Sequence, residues 1–241
     1  MIKQLAFCLL IMGLACTACR HADPHSPMTI IDELEKAFSG KDIGLVMVSV
    51  DIHYQDELGG PGRLEDDLRQ LFIVYGSLLL DLQDVTMRAE KVSGHAVVEG
   101  KRLRFEGPWE LLFKTNHNGL VVSSGLLTDL RGIISTLRER RIAIESGMPQ
   151  RLSRYVSVDY RGESGGKPEL LARVTADLKA VQAQAFIVDD LNIVVGGDKA
   201  KVIQSFLLIN IVGEKKIKNR SRERILMQKE GSLWRITGGL G

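Results

Sequence analysis

The tetrad Val48-Ser49-Val50-Asp51 returns 108 residues later as Val156-Ser157-Val158-Asp159, and a tyrosine follows each copy, Tyr54 and Tyr160. The surroundings return in the same order. Ahead of each tetrad lies an apolar stripe at helical spacing: Ile30, Ile31, Leu34, Ala37 and Phe38, then Leu130, Ile133, Ile134, Leu137, Arg141 and Ile144. A short break follows each stripe, Ser39-Gly40-Lys41 and Ser146-Gly147-Met148-Pro149. Behind each tetrad come glycines (Gly59-Gly60-Pro61-Gly62; Gly162 to Gly166) and another stripe, Leu64 to Tyr75 and Leu170 to Val181. Self-similarity at this spacing predicts one supersecondary unit built twice; the alternative is one larger α+β domain in which the tetrad recurs by accident. The 241 residues leave room for two domains of about 100 each, 28–127 and 128–241.

Each copy finishes on strands. In the second, Leu191, Ile193 and Val195 alternate up to the hairpin signal Gly196-Gly197-Asp198, Lys201 to Val212 runs apolar, and Ser221 to Lys229 turns at Glu230-Gly231-Ser232 into Leu233 to Thr237. In the first, Val85 to Val92 is expected to turn at Ser93-Gly94 into His95 to Phe105, followed by Trp109 to Lys114 and Leu120 to Ser124. Pro108 suits an edge or a bulge. The copies end alike, Ser124-Gly125-Leu126 and Gly238-Gly239-Leu240. Helices first and antiparallel hairpins second predict an α+β fold, a curved antiparallel sheet wrapped over its helices.

The second copy resembles the nuclear transport factor 2-like (cystatin-like) family. The resemblance rests on Arg141 to Gly147, the Tyr155 to Tyr160 segment, the strand after Gly197-Asp198-Lys199-Ala200, and the closing Gly231 to Ile236. It covers 135–241 well and 28–127 more loosely, where the closing strand has no tryptophan. It implies a tandem pair of cones, each with an open end. Some family members are isomerases, dehydratases or cyclases with an Asp, His or Tyr in the cone, and many others bind without catalysing, so the fold alone selects no function.

The chain opens with Lys3, an apolar run from Leu5 to Ala15, and Leu14-Ala15-Cys16-Thr17-Ala18-Cys19. Eleven helical residues rise about 16 Å, half of a ~30 Å hydrocarbon core, which fits a cleaved leader rather than a membrane span. Small residues before a cysteine resemble a bacterial lipobox. The resemblance implies a signal peptide over 1–19, a lipid on Cys19 (the alternative is Cys16) and a Pro-containing tether over 20–27. Neither cysteine precedes an aspartate, which by the enterobacterial sorting rule implies an outer-membrane anchor facing the periplasm. Cys8 also lies in this segment, so both domains are free of cysteine and of disulfides. Against 30 acidic residues stand 32 basic ones, one of them Lys3; this near-neutral balance argues against a nucleic-acid partner.

Candidate cavity residues are Asp51, His53 and Tyr54 in the first copy and Asp159 and Tyr160 in the second. An Asp in an apolar cavity has its pKa raised and can serve as a base, and a neighbouring Tyr or His can stabilise an oxyanion. Equally, both aspartates can end a helix and both tyrosines can be core rings. Gln204 and Asn210 interrupt an apolar strand on one face, with Ser205 on the other. Lys215, Lys216, Lys218, Arg220, Arg222 and Arg224 form a basic run that can guard a strand edge or meet lipid phosphates. No metal-ligand spacing, P-loop or nucleophile elbow occurs, and no cofactor is expected. The leading expectation is an envelope lipoprotein that binds a small apolar ligand or an envelope protein partner without catalysis. A cofactor-independent isomerase or dehydratase and a structural adaptor are the alternatives.

Overall fold

A computed structural model describes residues 26–240 apart from 118, 164, 181–182 and 213. The leader, Cys16, Cys19 and most of the tether lie outside the described residues. Six helices and nine strands follow in the order α1 (Pro27–Gly40), α2 (Ile43–Val48), α3 (Pro61–Tyr75), β1 (Leu79–Arg88), β2 (Lys91–Gly100), β3 (Leu103–Asn116), β4 (Gly119–Ser124), α4 (Thr128–Glu145), α5 (Pro149–Ser153), β5 (Val156–Arg161), α6 (Lys167–Lys179), β6 (Ala183–Gly196), β7 (Lys199–Val212), β8 (Lys215–Glu230) and β9 (Leu233–Gly238). Three helical segments and a set of hairpin strands fall in each half of the described residues, giving the expected α+β class.

α1 starts where Ser26 accepts a hydrogen bond from the Thr29 amide (3.2 Å) and where Pro27 needs no partner for its missing N–H. It stops at Lys41 in the left-handed conformation. Its stripe Ile30, Ile31, Leu34, Ala37 and Phe38 is buried. Burying each large side chain contributes roughly 1.5–3 kcal/mol. α4 opens without a side-chain cap: its N-cap is Leu127, in the left-handed conformation. Asp129 instead accepts from Trp234 Nε1 and Lys229 Nζ, both at 3.1 Å. Gly132 makes room for that indole, since a Cβ there would meet Trp234 Cδ1 at 2.9 Å. Helix propensity gives way to packing at this position.

The strands form one sheet in the order β1-β2-β3-β6-β7-β8-β9-β5, with β4 on β3 beside the main path. Neighbours within each half are antiparallel, except that β5 runs parallel to β9. The halves meet through a parallel β3–β6 pairing from Leu103↔Leu191 to Glu106↔Val194. The far edge of β3 therefore carries β6 over its first residues and β4 over Leu112 to Asn116. Pro108 falls in the gap between these partners, where an absent donor costs nothing.

The expected turn at Ser93-Gly94 is not one. β1 turns into β2 at Ala89-Glu90, and Gly94 lies within β2 opposite the irregularity between Gln83 and Thr86. A Cβ at Gly94 would sit 2.5 Å from the Gln83 carbonyl, so this glycine serves a bulge. A bulge glycine and a turn glycine look alike in sequence.

Candidate functional site

The repeated tetrads and their tyrosines act in the fold's own architecture. Asp51, 2% exposed, lies three residues past the end of α2. Its carboxylate accepts from the His53 amide (2.5 Å), Lys114 Nζ (2.8 Å) and Asn116 Nδ2 (3.4 Å). The bond from Lys114 outweighs burial and holds this carboxyl below its usual range, opposite to what a general base needs. The His53 side chain points away from the core and is exposed, as is Asp159.

Tyr54 and Tyr160 are buried rings whose hydroxyls hold the two similar chain endings. Tyr54 Oη accepts from the Leu126 amide (3.0 Å), and Tyr160 Oη donates to the Leu240 carbonyl (2.9 Å). Each leucine follows a glycine in the left-handed region, Gly125 or Gly239. Burial pushes both phenols up, so they stay protonated. The twin motif thus reads as a latch in each half.

Tyr54 also donates to Asp56 Oδ2 (2.6 Å), which enters a buried ion network. Arg131 of α4, its side chain fully buried, reaches Asp56 (2.6 Å), Asp67 of α3 (3.0 Å) and the Leu126 carbonyl (3.2 Å). Burial would raise Asp56, but the Tyr54 hydroxyl and the Arg131 charge prevail and hold it low. Sequence reasoning missed this network. The signal was present: Arg131 interrupts the same stripe as Leu130 and Ile134.

Three cavities are prominent. The largest, about 630 Å³, is an open polar cleft beside β3 and the start of α4. Four of its five acids, all but Asp84, are committed: Asp56 to Arg131, Glu57 and Asp129 to Lys229 (2.8 and 3.1 Å), and Glu110 to Lys91. Phe105, Trp109, Leu112 and Leu127 also line it, but its wall is the most polar of the three.

A second cavity, about 370 Å³, lies in the second half beneath α6. Ile144, Leu152, Leu170, Val174, Phe206 and Leu208 give it apolar walls. Arg140 and Glu223 lie at its wall in a two-bond pair (2.6 and 2.9 Å), and Gln204 Nε2 donates to the same carboxylate. Arg140 also stands 5.3 Å over the Phe186 ring. Arg173 is bound to the Leu240 carbonyl (2.8 Å), leaving exposed Asp177 at the rim.

The corresponding space in the first half is filled. Phe38 and Phe72 meet edge to face at 5.6 Å, both buried. Helices α3 and α6 explain the difference. Both follow a glycine N-cap (Gly60, Gly166) behind a four-residue turn closed by Asp56↔Gly59 or Gly162↔Gly165. Counted from those caps, Leu68, Leu71 and Phe72 correspond to Val174, Asp177 and Leu178. Six residues of α3 are buried, against Leu170 alone in α6. Smaller side chains in the same positions leave the space open.

The third cavity, about 390 Å³, lies between α3, α4 and β6 and includes Gln204 in its wall. Of the seven residues expected to line a cavity, Gln204 alone lines one of these three. Asn210 is half-buried, and its Oδ1 is enclosed without a hydrogen-bond partner. Asp51, Tyr54 and Tyr160 are drawn into caps and latches, and His53 and Asp159 face outward. Among the described residues no three His, Cys, Asp or Glu side chains group as a metal site, and no helix is long and apolar enough to cross a membrane.

No family model matches the chain, and no curated protein matches it. Solved structures of similar shape include a nuclear transport factor 2-like protein with a cystatin-like fold from Novosphingobium aromaticivorans, 18% identical (TM-score 0.41; 47% of this chain, 80% of that one). A protein provisionally described as a dehydratase of the same family, from Streptomyces avermitilis, is 14% identical (TM-score 0.43; 46% of this chain, 93% of that one). A nuclear transport factor 2-like superfamily protein from Salmonella enterica is 16% identical (TM-score 0.40; 44% and 84%).

Proposed function

We propose that this protein is a non-catalytic binding module built from two tandem copies of one cone-like unit, 28–127 and 128–241. The second unit takes a small apolar ligand, in a space whose counterpart in the first unit is filled. The observation that carries this is the cavity beneath α6: apolar walls, with Arg140 and Glu223 neutralising one another. A pair so committed offers neither a free base nor a free acid, but it can orient one polar group of a guest. The twin turns, the twin tyrosine latches and the repeated order of elements support the tandem reading. The Cys19 or Cys16 lipobox supports an outer-membrane lipid anchor that presents the module to the periplasm. An envelope protein partner remains the alternative occupant of the same address.

The test copies the first unit's filling into the second. In Val174→Leu/Leu178→Phe the side chains at two α6 positions become those of Leu68 and Phe72. The neutral fluorophore N-phenyl-1-naphthylamine should brighten with the wild-type protein and lose at least tenfold in affinity for the variant. Stability should meanwhile rise by about 0.5–2 kcal/mol, as in other cavity-filling changes. Undiminished dye affinity in a folded variant would refute the reading.

A further inference from the structure

The cavity between α3, α4 and β6 has a different chemistry from the one beneath α6. Its wall is apolar: Leu71 and Tyr75 from α3, Ile134 and Leu137 from α4, Phe186 and Leu191 from β6. Over this wall stand three further arginines, Arg102 from the β2–β3 turn and Arg138 and Arg141 from α4. Arg138 and Arg141 are three residues apart and therefore neighbours on one helix face, each one turn beyond Ile134 or Leu137.

The charges do not balance within the protein. Asp67 is held by Arg63 and Arg131, and Glu145 accepts the Phe186 amide at 3.0 Å and lies 3.8 Å from Arg141. Neither Arg102 nor Arg138 has an ion-pair partner among the described residues, and the Arg138 Nε is buried without an acceptor. The Gln204 side chain is 2% exposed, and its Oε1 is likewise buried without a donor. Buried polar groups are ordinarily satisfied, and two orphans in one cavity wall call for a guest or ordered water between them. Tyr75 adds a hydroxyl that stays protonated, because burial pushes its pKa up to about 12. A surface arginine needs no such explanation; a half-buried one over a row of aliphatic and aromatic side chains does.

We propose that this cleft binds a small amphiphile with a single carboxylate or phosphate head. Arg102, Arg138 and Arg141 hold the head by charge-assisted hydrogen bonds, and the apolar body lies along Leu71, Ile134 and Phe186. The cleft spans the junction of the halves, a usual place for ligand sites, and its volume falls within the range of small-molecule pockets. The site shares Phe186 with the cavity beneath α6 but holds neither Val174 nor Leu178, and its arginines line only this cleft, so the two proposals are tested by different variants.

Calorimetric titration of the purified protein with octanoate, octyl phosphate and octanol tests it. At least one anion should bind ten times more tightly than octanol or better. The anion preferred identifies the head: octyl phosphate a lipid phosphate, octanoate a fatty-acid carboxylate. Arg138→Gln should weaken the preferred anion at least tenfold and leave octanol unchanged. Arg102→Gln, which changes an exposed side chain and keeps the backbone bond to the Leu191 amide, should weaken it severalfold. Val174→Leu/Leu178→Phe should leave anion binding intact. Equal affinities for anions and octanol, no heat with either anion, or anion binding indifferent to both arginine changes would each overturn the proposal.

Discussion

At the scale of the residue, the same side chain types that suggest catalysis are spent on structure. Asp51 and Tyr54 stand close in sequence, as a base and an oxyanion donor might. In three dimensions Asp51 faces Lys114 and Tyr54 faces Asp56. What the residues mean was legible only in part, since a sequence shows where an Asp is but not which cation reaches it from 63 positions away. Asp56 makes the sharpest prediction. Its pKa is lowered in the folded state, so its stabilisation is fully present above the unfolded value, about 3.9, and is lost as pH falls through the folded value. The melting temperature should fall steeply below about pH 4. Asp56→Asn should lower stability at pH 7 yet flatten that acid limb, which melts at pH 7, 5, 4 and 3 would show. An unchanged acid limb in the variant would assign the acid sensitivity elsewhere.

At the scale of the element, periodicity located the four long helices, because each turns one apolar stripe toward the core, even where, as in α6, only Leu170 is fully buried. It located strand turns less well, because glycine serves turns, bulges and close contacts alike. Gly125 and Gly239 belong to the last kind. A Cβ would lie 2.1 Å from the Glu110 carbonyl at one and 1.8 Å from the Arg224 carbonyl at the other. Gly147 shares their positive φ but has open space around it. Alanine at Gly147 should therefore cost only the left-handed backbone term, about 1–2 kcal/mol. Gly125→Ala and Gly239→Ala should each cost clearly more, as urea midpoints would report. Equal costs at all three positions would remove the latch from the account of the repeat. The basic run shows what alternation adds to composition: Lys216, Lys218, Arg220, Arg222 and Arg224 share one face of β8, opposite Ile211, Ile209, Leu207, Ser205 and Ile203 of β7. Glu223 and Ile225 share the other face and turn inward. Arg140 and Glu223 were thus readable as a pair only once helix and strand faces were set against each other.

At the scale of the whole molecule, the halves are joined more intimately than two beads on a string. Arg131 belongs to the second half by sequence but neutralises two acids of the first. Residues 26–127 alone would keep Asp56 buried without its cation and leave Asp67 with Arg63 alone (3.0 Å), and removing one partner of a buried pair costs about 3–5 kcal/mol. That fragment should melt without cooperativity, whereas 26–147, which restores α4, should show a measurable transition by circular dichroism. Identical behaviour of the two would mean that Arg131 contributes little. This dependence could not be read from a repeat pattern, which treats copies as equivalent units.

The β3–β6 seam has a consequence for the order of events on the ribosome. Leu103 leaves the exit tunnel 88 residues before its partner Leu191. At about 5–20 residues per second, the nascent chain carries that strand border uncovered for roughly 4–18 s. Arg104 and Glu106 alternate along this stretch and are the charged groups that can discourage neighbouring nascent chains from adhering to it in the meantime.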